Sequence, residues 1–195
     1  MAYPTLDSAY GFKPINLTGG TSYAGSTRRI PIDSAYNVAM FNGDLVTVAA
    51  NGTATRITAE TGVKIAGVFL GCEYTNANDQ LEFSQSYPGT SVSNAFAVVM
   101  DNPSVLCKVA IVTTAGAVDD TLTRAAVGAN ASIEQALGGV TATGNSRLGM
   151  TKVVAATNTL PLRIIDLVED TKTSNGYVEA IVKFNTHQYN DITGV

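Results

Sequence analysis

The chain contains the segment Ile65-Ala-Gly-Val-Phe-Leu-Gly-Cys-Glu-Tyr-Thr75, followed by Leu81-Glu-Phe83 and Phe96-Ala-Val-Val-Met-Asp-Asn-Pro103. These segments are rich in β-branched and aromatic residues and are separated by turn-forming residues, which is typical of consecutive β-strands. None of them carries a recognisable pattern of catalytic residues. We therefore predict a series of strands whose role is assembly.

Alternation of side chains supports this prediction in two places. Leu81 and Phe83 alternate with polar residues, and Cys107, Val109 and Ile111 alternate along a second segment. Because successive side chains of a strand point to opposite faces, each segment is expected to place one face on a hydrophobic core.

Asn-Gly dipeptides indicate where hairpins turn, since a type I′ turn needs positive φ at both central residues. Asn42-Gly43 lies between the apolar segments 36–41 and 44–48, and Asn51-Gly52 and Asn175-Gly176 are two further signals. The segments 160–168 and 177–184 predict a long final hairpin around residues 169–176.

The segment Asp120–Leu137 is the only helical candidate. Ser132 followed by Gln135 forms a capping-box pattern, and Gly138-Gly139 would end a short helix after Leu137. Many short strands with one or two short helices predict an all-β barrel or sandwich for residues 33–195.

Residues 1–32 differ from the rest of the chain. They hold three of the six prolines, four aromatic residues and no regular apolar period, and their net charge is positive whereas that of the remainder is negative. We predict an extended N-terminal arm that packs against neighbouring subunits, the alternative being that it folds back on its own barrel. Its contact candidates are Tyr3, Tyr10, Phe12, Tyr23, Arg28 and Arg29.

Composition narrows the class of protein. A length of 195 residues fits one domain plus an arm, and only 14% of residues are charged, against about 25% in typical soluble domains. The net charge of −4 argues against nucleic-acid binding. The longest apolar run and the N-terminus predict neither a membrane-spanning helix nor a signal peptide, so we expect folding in a cytoplasm.

The two cysteines, Cys72 and Cys107, lie in apolar segments. For a protein folded in the cytoplasm we expect two buried thiols, with a disulfide as the alternative. Two cysteines and one histidine do not supply the ligands of a four-coordinate zinc site without carboxylates.

Catalytic patterns are weak, and the prediction is a non-enzyme without cofactor or metal. The segment around Ser146 lacks the second glycine of a nucleophile elbow, and His187, the only histidine, is expected to be solvated or at an interface near the C-terminal end. The carboxylate pairs 119–120 and 169–170 are expected in solvated turns. Residues 76–82 offer oxygen ligands but fit a hairpin loop better than a calcium loop.

Several short patterns carry a family resemblance. Gly-Val-Phe-x-Gly-Cys-x-Tyr at 67–74, Tyr-Pro-Gly at 87–89, Val-Met-Asp-Asn-Pro at 99–103, Phe184-Asn-Thr-His-Gln188 and Thr193-Gly-Val195 occur in this order. The chain thereby resembles the small head-decoration (cement) proteins of tailed double-stranded DNA bacteriophages. The resemblance implies a β-tulip-like fold, a homotrimer and a position on the outer surface of the phage head, with the major capsid protein as partner.

Two other classes remain as alternatives. A virion adhesin or fibre-base module would also be β-rich and acidic, but it is expected to show fibre repeats or a carbohydrate-binding aromatic cluster. A small hydrolase is expected to need a cluster of perturbed titratable groups in a cleft.

Overall fold

A computed structural model of the protein describes residues 8–135, 138–171 and 176–190. Within these ranges the chain is all-β, as predicted. The first nine strands are β1 (Lys13–Leu17), β2 (Arg28–Pro31), β3 (Met40–Phe41), β4 (Leu45–Val48), β5 (Ala54–Arg56), β6 (Gly67–Thr75), β7 (Leu81–Ser84), β8 (Ser86–Tyr87) and β9 (Ser93–Met100). The others are β10 (Val105–Val112), β11 (Asn130–Glu134), β12 (Gly139–Val140), β13 (Asn145–Ser146), β14 (Gly149–Ala155), β15 (Leu162–Leu167) and β16 (Glu179–Phe184).

Five strands close into a barrel in the order β10-β14-β11-β15-β16, with β16 pairing back to β10. The β10–β14 pair is parallel and the other four pairs are antiparallel. Strand β1 extends the same edge of β10 that β14 occupies further along. The predicted alternation of Cys107, Val109 and Ile111 is confirmed, because all three side chains are fully buried in the barrel core.

A second sheet has the strand order β2-β9-β6-β4-β5, and β7 pairs with the distal half of β6. It has its own core, which includes Ile30, Phe69, Ala97 and Val99. The β4–β5 hairpin turns at Asn51-Gly52, so the predicted position of the turn is confirmed; only Gly52 has a positive φ (+79°), however, and the type I′ geometry is not formed. The β15–β16 hairpin is also confirmed.

The barrel and the second sheet meet where two glycines approach closely. Gly11 has a φ of +81°, and a Cβ built there would lie 2.7 Å from the carbonyl oxygen of Gly43 and 2.8 Å from Cβ of Ser146. Phe12 N donates to that same carbonyl oxygen at 2.9 Å. Only glycine at position 11 therefore allows the chain to enter β1 at this distance from the second sheet.

The prediction of an arm outside the core is wrong for residues 8–32. Strand β1 pairs with β10 and strand β2 pairs with β9, so this segment contributes one strand to each sheet. Phe12 is fully buried against Phe184, and Ile30 and Ile32 belong to the second core. The described residues show no domain boundary at position 32, and the alternative of folding back on the barrel describes them better. Residues 1–7 lie outside the described ranges.

The predicted helix is also wrong for residues 120–135, while residues 136–137 lie outside the described ranges. Residues Arg124–Ala126 form a single 3₁₀ turn, and Ser132 lies in the middle of strand β11. The pairing of β11 with β14 and β15 outweighs the local capping-box pattern. Within the described ranges the helical elements are short 3₁₀ turns.

Asn42-Gly43 does not close a hairpin between β3 and β4. Strand β3 pairs with β8 instead, and only Gly43 has a positive φ, whereas a type I′ turn needs both residues there. The Asn42 side chain donates to the carbonyl oxygen of Leu70 at 2.6 Å and so ties the turn to β6.

Both cysteines are free and buried, in agreement with the prediction of thiols. Cys107 lies in the barrel core and Cys72 in the second core. Burial raises the pKa of the Cys72 thiol to about 12 and raises that of Cys107 as well. Neither thiol is therefore a reactive thiolate at neutral pH.

The segment 186–190 packs against residues 63–65 and strand β4, and His187 is buried, so the prediction of a solvated or interface His187 is wrong. Ile65 N donates to Thr186 O and Gln188 N donates to Ile65 O, both at 2.8 Å. The Gln188 amide also accepts from Val48 N and donates to Val48 O, as a neighbouring strand would. His187 is only 1% exposed, and its Nδ1 accepts from Tyr189 N at 3.2 Å.

We expect stability to fall as the pH drops below about 6.5, the ordinary pKa of histidine. Burial lowers the pKa of His187, and the charge of Asp101, which is itself paired with Arg28, opposes this only in part. The unfolded chain therefore gains a proton near pH 6.5, whereas the folded chain gains it only at lower pH. Urea unfolding at pH 7.5 and pH 5.5 measures the loss.

The matched variant is H187Q, which keeps an acceptor for Tyr189 N and does not titrate. The difference between wild type and H187Q isolates this group, because His187 is the only histidine in the chain. An identical pH dependence in both proteins would contradict the prediction.

Candidate interaction surface

One face of the second sheet points away from its core. Directly paired residues project to the same side of a sheet, and the pairs Pro31–Phe96, Phe96–Glu73 and Glu73–Phe83 form a row from β2 to β7. Arg29 and Leu81 flank this row. We call this set, comprising Arg29, Pro31, Glu73, Leu81, Phe83 and Phe96, the outer face.

Two large apolar side chains of the outer face are unusually accessible. Phe83 is 76% exposed and Leu81 is 62% exposed. Both lie on β7, whose other edge has no partner strand among the described residues. A short edge strand that presents a phenylalanine and a leucine to solvent offers both backbone hydrogen-bonding groups and an apolar anchor to a partner.

The β6–β7 hairpin holds these side chains in place from its opposite face. The Asn76 Oδ1 accepts from the backbone N–H groups of Asn78 and Gln80, and its Nδ2 donates to Glu82 Oε1 at 2.6 Å. The Tyr74 hydroxyl donates to the other oxygen of Glu82 at 2.9 Å. This loop, predicted as a hairpin from residues 76–82, pre-organises β7, so little entropy remains to be lost on docking.

Arg29 on β2 forms the end of the outer face that is opposite to Leu81 and Phe83. Arg29 pairs with Glu73, and its guanidinium lies 4.5 Å from the centroid of the Phe96 ring. Both contacts fix the guanidinium while most of the side chain stays in solvent.

Arg28 lies at the free edge of β2. It pairs with Asp101 at 2.8 Å, and its guanidinium lies 4.8 Å from the ring centroid of Tyr189. A pocket of about 300 Å³ runs along this edge between β2 and the β4–β5 turn. The second sheet thus presents an unpaired edge on each side of the outer face within the described residues.

The predicted contact residues separate into two groups. Arg28 and Arg29 lie at the surface described above. Phe12 is in the barrel core, and Tyr10 donates its hydroxyl to Glu179 beside Lys108, so neither belongs to the outer face. Tyr23 packs against the barrel core and donates to Ser26 O. Tyr3 lies outside the described residues.

Leu81, Phe83 and Tyr189 are the surface residues that the sequence analysis missed. The alternation at 80–84 correctly placed Leu81 and Phe83 on one face, but the prediction that this face meets the core is wrong. Strand β7 is only four residues long and carries Glu82, and this combination of short length and charge was the available signal of an edge strand.

The residues considered for catalysis do not form a catalytic group. Ser146 Oγ accepts from Leu148 N, whereas Nδ1 of His187 accepts from Tyr189 N, so each side chain is engaged with its own neighbouring backbone. Asp119 is buried rather than solvated: burial raises its pKa, but hydrogen bonds from Lys152 and Thr121 outweigh this and lower it. Glu169 and Asp170 form an exposed 3₁₀ turn, in agreement with a solvated position.

Comparisons with known proteins identified no relative of this chain, so its function is interpreted from the fold and the outer face. We found no matching family model, no matching curated protein and no matching solved structure. Within residues 8–135, 138–171 and 176–190, no three His, Cys, Asp or Glu side chains are grouped to hold a metal ion. In the same ranges there is no helix of the length and apolarity that crossing a membrane requires.

Proposed function

We propose that the protein is a capsid decoration (cement) protein of a tailed double-stranded DNA phage. In this role it binds the outer surface of the head and stabilises contacts between major capsid proteins, after synthesis in the host cytoplasm. The observation that carries the proposal is the outer face, where Phe83 and Leu81 stand exposed on a braced edge strand. The family resemblance of the sequence supplies the choice of partner.

Burial of the two exposed side chains would provide the central part of the binding energy. Each large apolar side chain contributes about 1.5–3 kcal/mol when it is removed from water. Aromatic anchors surrounded by fixed polar groups are typical of binding hot spots, and here the Arg29–Glu73 pair lies beside Phe83 on the sheet.

Binding at many identical sites raises the overall affinity even when the affinity of one subunit is modest. A phage head presents many identical sites, and three copies arranged around a three-fold position would meet three equivalent capsid surfaces. We therefore propose a homotrimer, in which avidity multiplies the affinity of one subunit. No cofactor enters this function.

We expect F83A to weaken attachment to isolated heads that lack the protein by about 30-fold or more, as hot-spot truncations do. Folding should change little, because Phe83 is 76% exposed. The measurement is a sedimentation binding assay with purified heads. The matched control is V153A, which truncates an exposed side chain on the barrel. Equal binding by wild type and F83A would remove the outer face from the interface.

The location of the protein on the virion tests the function itself. Electron microscopy of purified virions, with this chain labelled, should show it on the outer surface of the head. A position on the tail or at a fibre base would replace the proposal by the adhesin alternative, whichever surface the F83A experiment supports.

A further inference from the structure

A pocket of about 350 Å³ opens at the junction between the chain entering β1 and the β12–β13 hairpin. Backbone hydrogen bonds hold its walls: Gly11 N donates to Leu148 O, Ser146 N to Asn42 O and Arg147 N to Gly138 O, at 2.8–3.0 Å. The polar side chains that line it are Ser8, Tyr10, Thr143, Asn145, Ser146 and Arg147. The pocket is therefore preformed, and its lining combines these polar side chains with apolar surface that includes Ala9 and Val140.

Arg147 differs from the other five arginines. Arg28, Arg29, Arg56 and Arg124 pair with carboxylates, and Arg163 donates to Asn130. By contrast, Arg147 forms no ion pair with any residue that the structure describes. Its Nε–H, like that of Arg56, is buried without a hydrogen-bond acceptor, but Arg56 has the carboxylate of Asp44 beside it. The Arg147 guanidinium has lost part of its hydration without compensation, which is costly until an acceptor enters.

The pocket supplies donors but no negative charge. No Asp or Glu lines it among the described residues. Glu179, which accepts from Tyr10, is already paired with Lys108 at 3.1 Å. The Asn145 amide oxygen accepts from Gln85 at 2.7 Å, so its NH₂ group is the end that remains to donate. The hydroxyls of Ser8 and Thr143 add further donors.

We propose that this pocket binds a carboxylate, with Arg147 as the charged partner and Asn145 as a neutral donor. One fixed positive charge matches a monoanion, and the planar guanidinium fork matches the two oxygens of a carboxylate. The carboxylate belongs to a protein side chain, a chain terminus or a small organic acid. The inference does not depend on the role of the outer face.

The test is an NMR titration of the ¹⁵N-labelled full chain with sodium propionate and, separately, with propionamide, at constant ionic strength. Propionate should produce saturating shifts at the amides of Gly144, Asn145 and Arg147, and its neutral isostere should not. R147Q should weaken propionate binding about tenfold or more, since it removes a charge-assisted hydrogen bond. R163Q, which alters a different polar pocket, should bind propionate as wild type does.

Three peptides distinguish the sources of the carboxylate. The first is amidated and contains an internal Asp, and the second is its amidated Asn counterpart. The third has a free C-terminal carboxylate and no acidic side chain. Stronger binding of either carboxylate peptide than of the Asn peptide supports the proposal and names the source. Equal shifts with propionamide, unchanged affinity in folded R147Q, or tighter binding of inorganic phosphate than of propionate would each overturn it. If R147Q does not fold, the comparison of propionate with propionamide on the wild-type protein still tests the proposal.

Discussion

Replacement of Phe12 by alanine is expected to lower the free energy of unfolding by about 3–5 kcal/mol, the usual cost of truncating a buried phenylalanine. The Phe12 side chain has no exposed surface, and its ring centroid lies 6.1 Å from that of Phe184 on β16. The cavity left by F12A would open between β1 and the barrel strands, where Gly11 and Gly43 restrict any collapse of the chain. Urea denaturation followed by circular dichroism measures the change.

F83A is the matched control, because it makes the same chemical change at a side chain that is mostly exposed. We expect it to leave the free energy of unfolding within about 0.5 kcal/mol of wild type. If F12A were as stable as F83A, the segment before β1 would not be part of the folded core, and the arm predicted from composition would be restored.

Replacement of Arg56 by methionine is expected to cost about 3–5 kcal/mol, the typical penalty for leaving one partner of a buried ion pair alone. Asp44 is completely buried, and its Oδ2 lies 3.1 Å from Arg56 Nε and accepts from Phe41 N at 2.9 Å. In R56M the Phe41 N–H would remain as a partner, but no positive charge would face the carboxylate. Denaturant unfolding of the purified variants gives the cost.

The double variant D44N/R56M should recover much of this loss, since asparagine is neutral and still accepts from Phe41 N. The pH dependence gives a second check. Burial raises the pKa of Asp44 and Arg56 opposes the rise, so removal of Arg56 raises the pKa further. A raised pKa adds stability at low pH that is lost as the pH rises, and the cost of R56M should therefore be smaller at pH 5 than at pH 7. Costs that simply add in the double variant would contradict the pairing.

Local signals were sufficient for part of the fold. The alternation at 105–112 and the hairpin formed by β15 and β16 depend on neighbouring residues and on turn chemistry, and both predictions are confirmed. The β4–β5 turn at Asn51-Gly52 belongs to the same group. In these elements the local pattern and the turn residues agree with the final pairing.

Most of the predictions that failed concern strands whose partner strands are distant in the sequence. Strand β1 is only five residues long, contains Pro14 and has a register shift before Asn16, so residues 8–32 show no clear period. Its partner strand lies far along the chain. Ser132 had a good helix signal nearby but is flanked by two strands in the barrel. For Phe83, alternation gave the side of the strand but not whether another layer covers that side.

The position of β10 in the barrel sets the order in which the chain reaches its final state. This strand contacts residues 13–17, 150–151 and 179–183, which are separated from it by long stretches of chain. Closure of these loops costs entropy before any barrel contact repays it, a topology associated with slow folding. During synthesis the barrel cannot close until β16 has left the ribosome, and until then the apolar strand 105–112 depends on transient contacts to avoid aggregation.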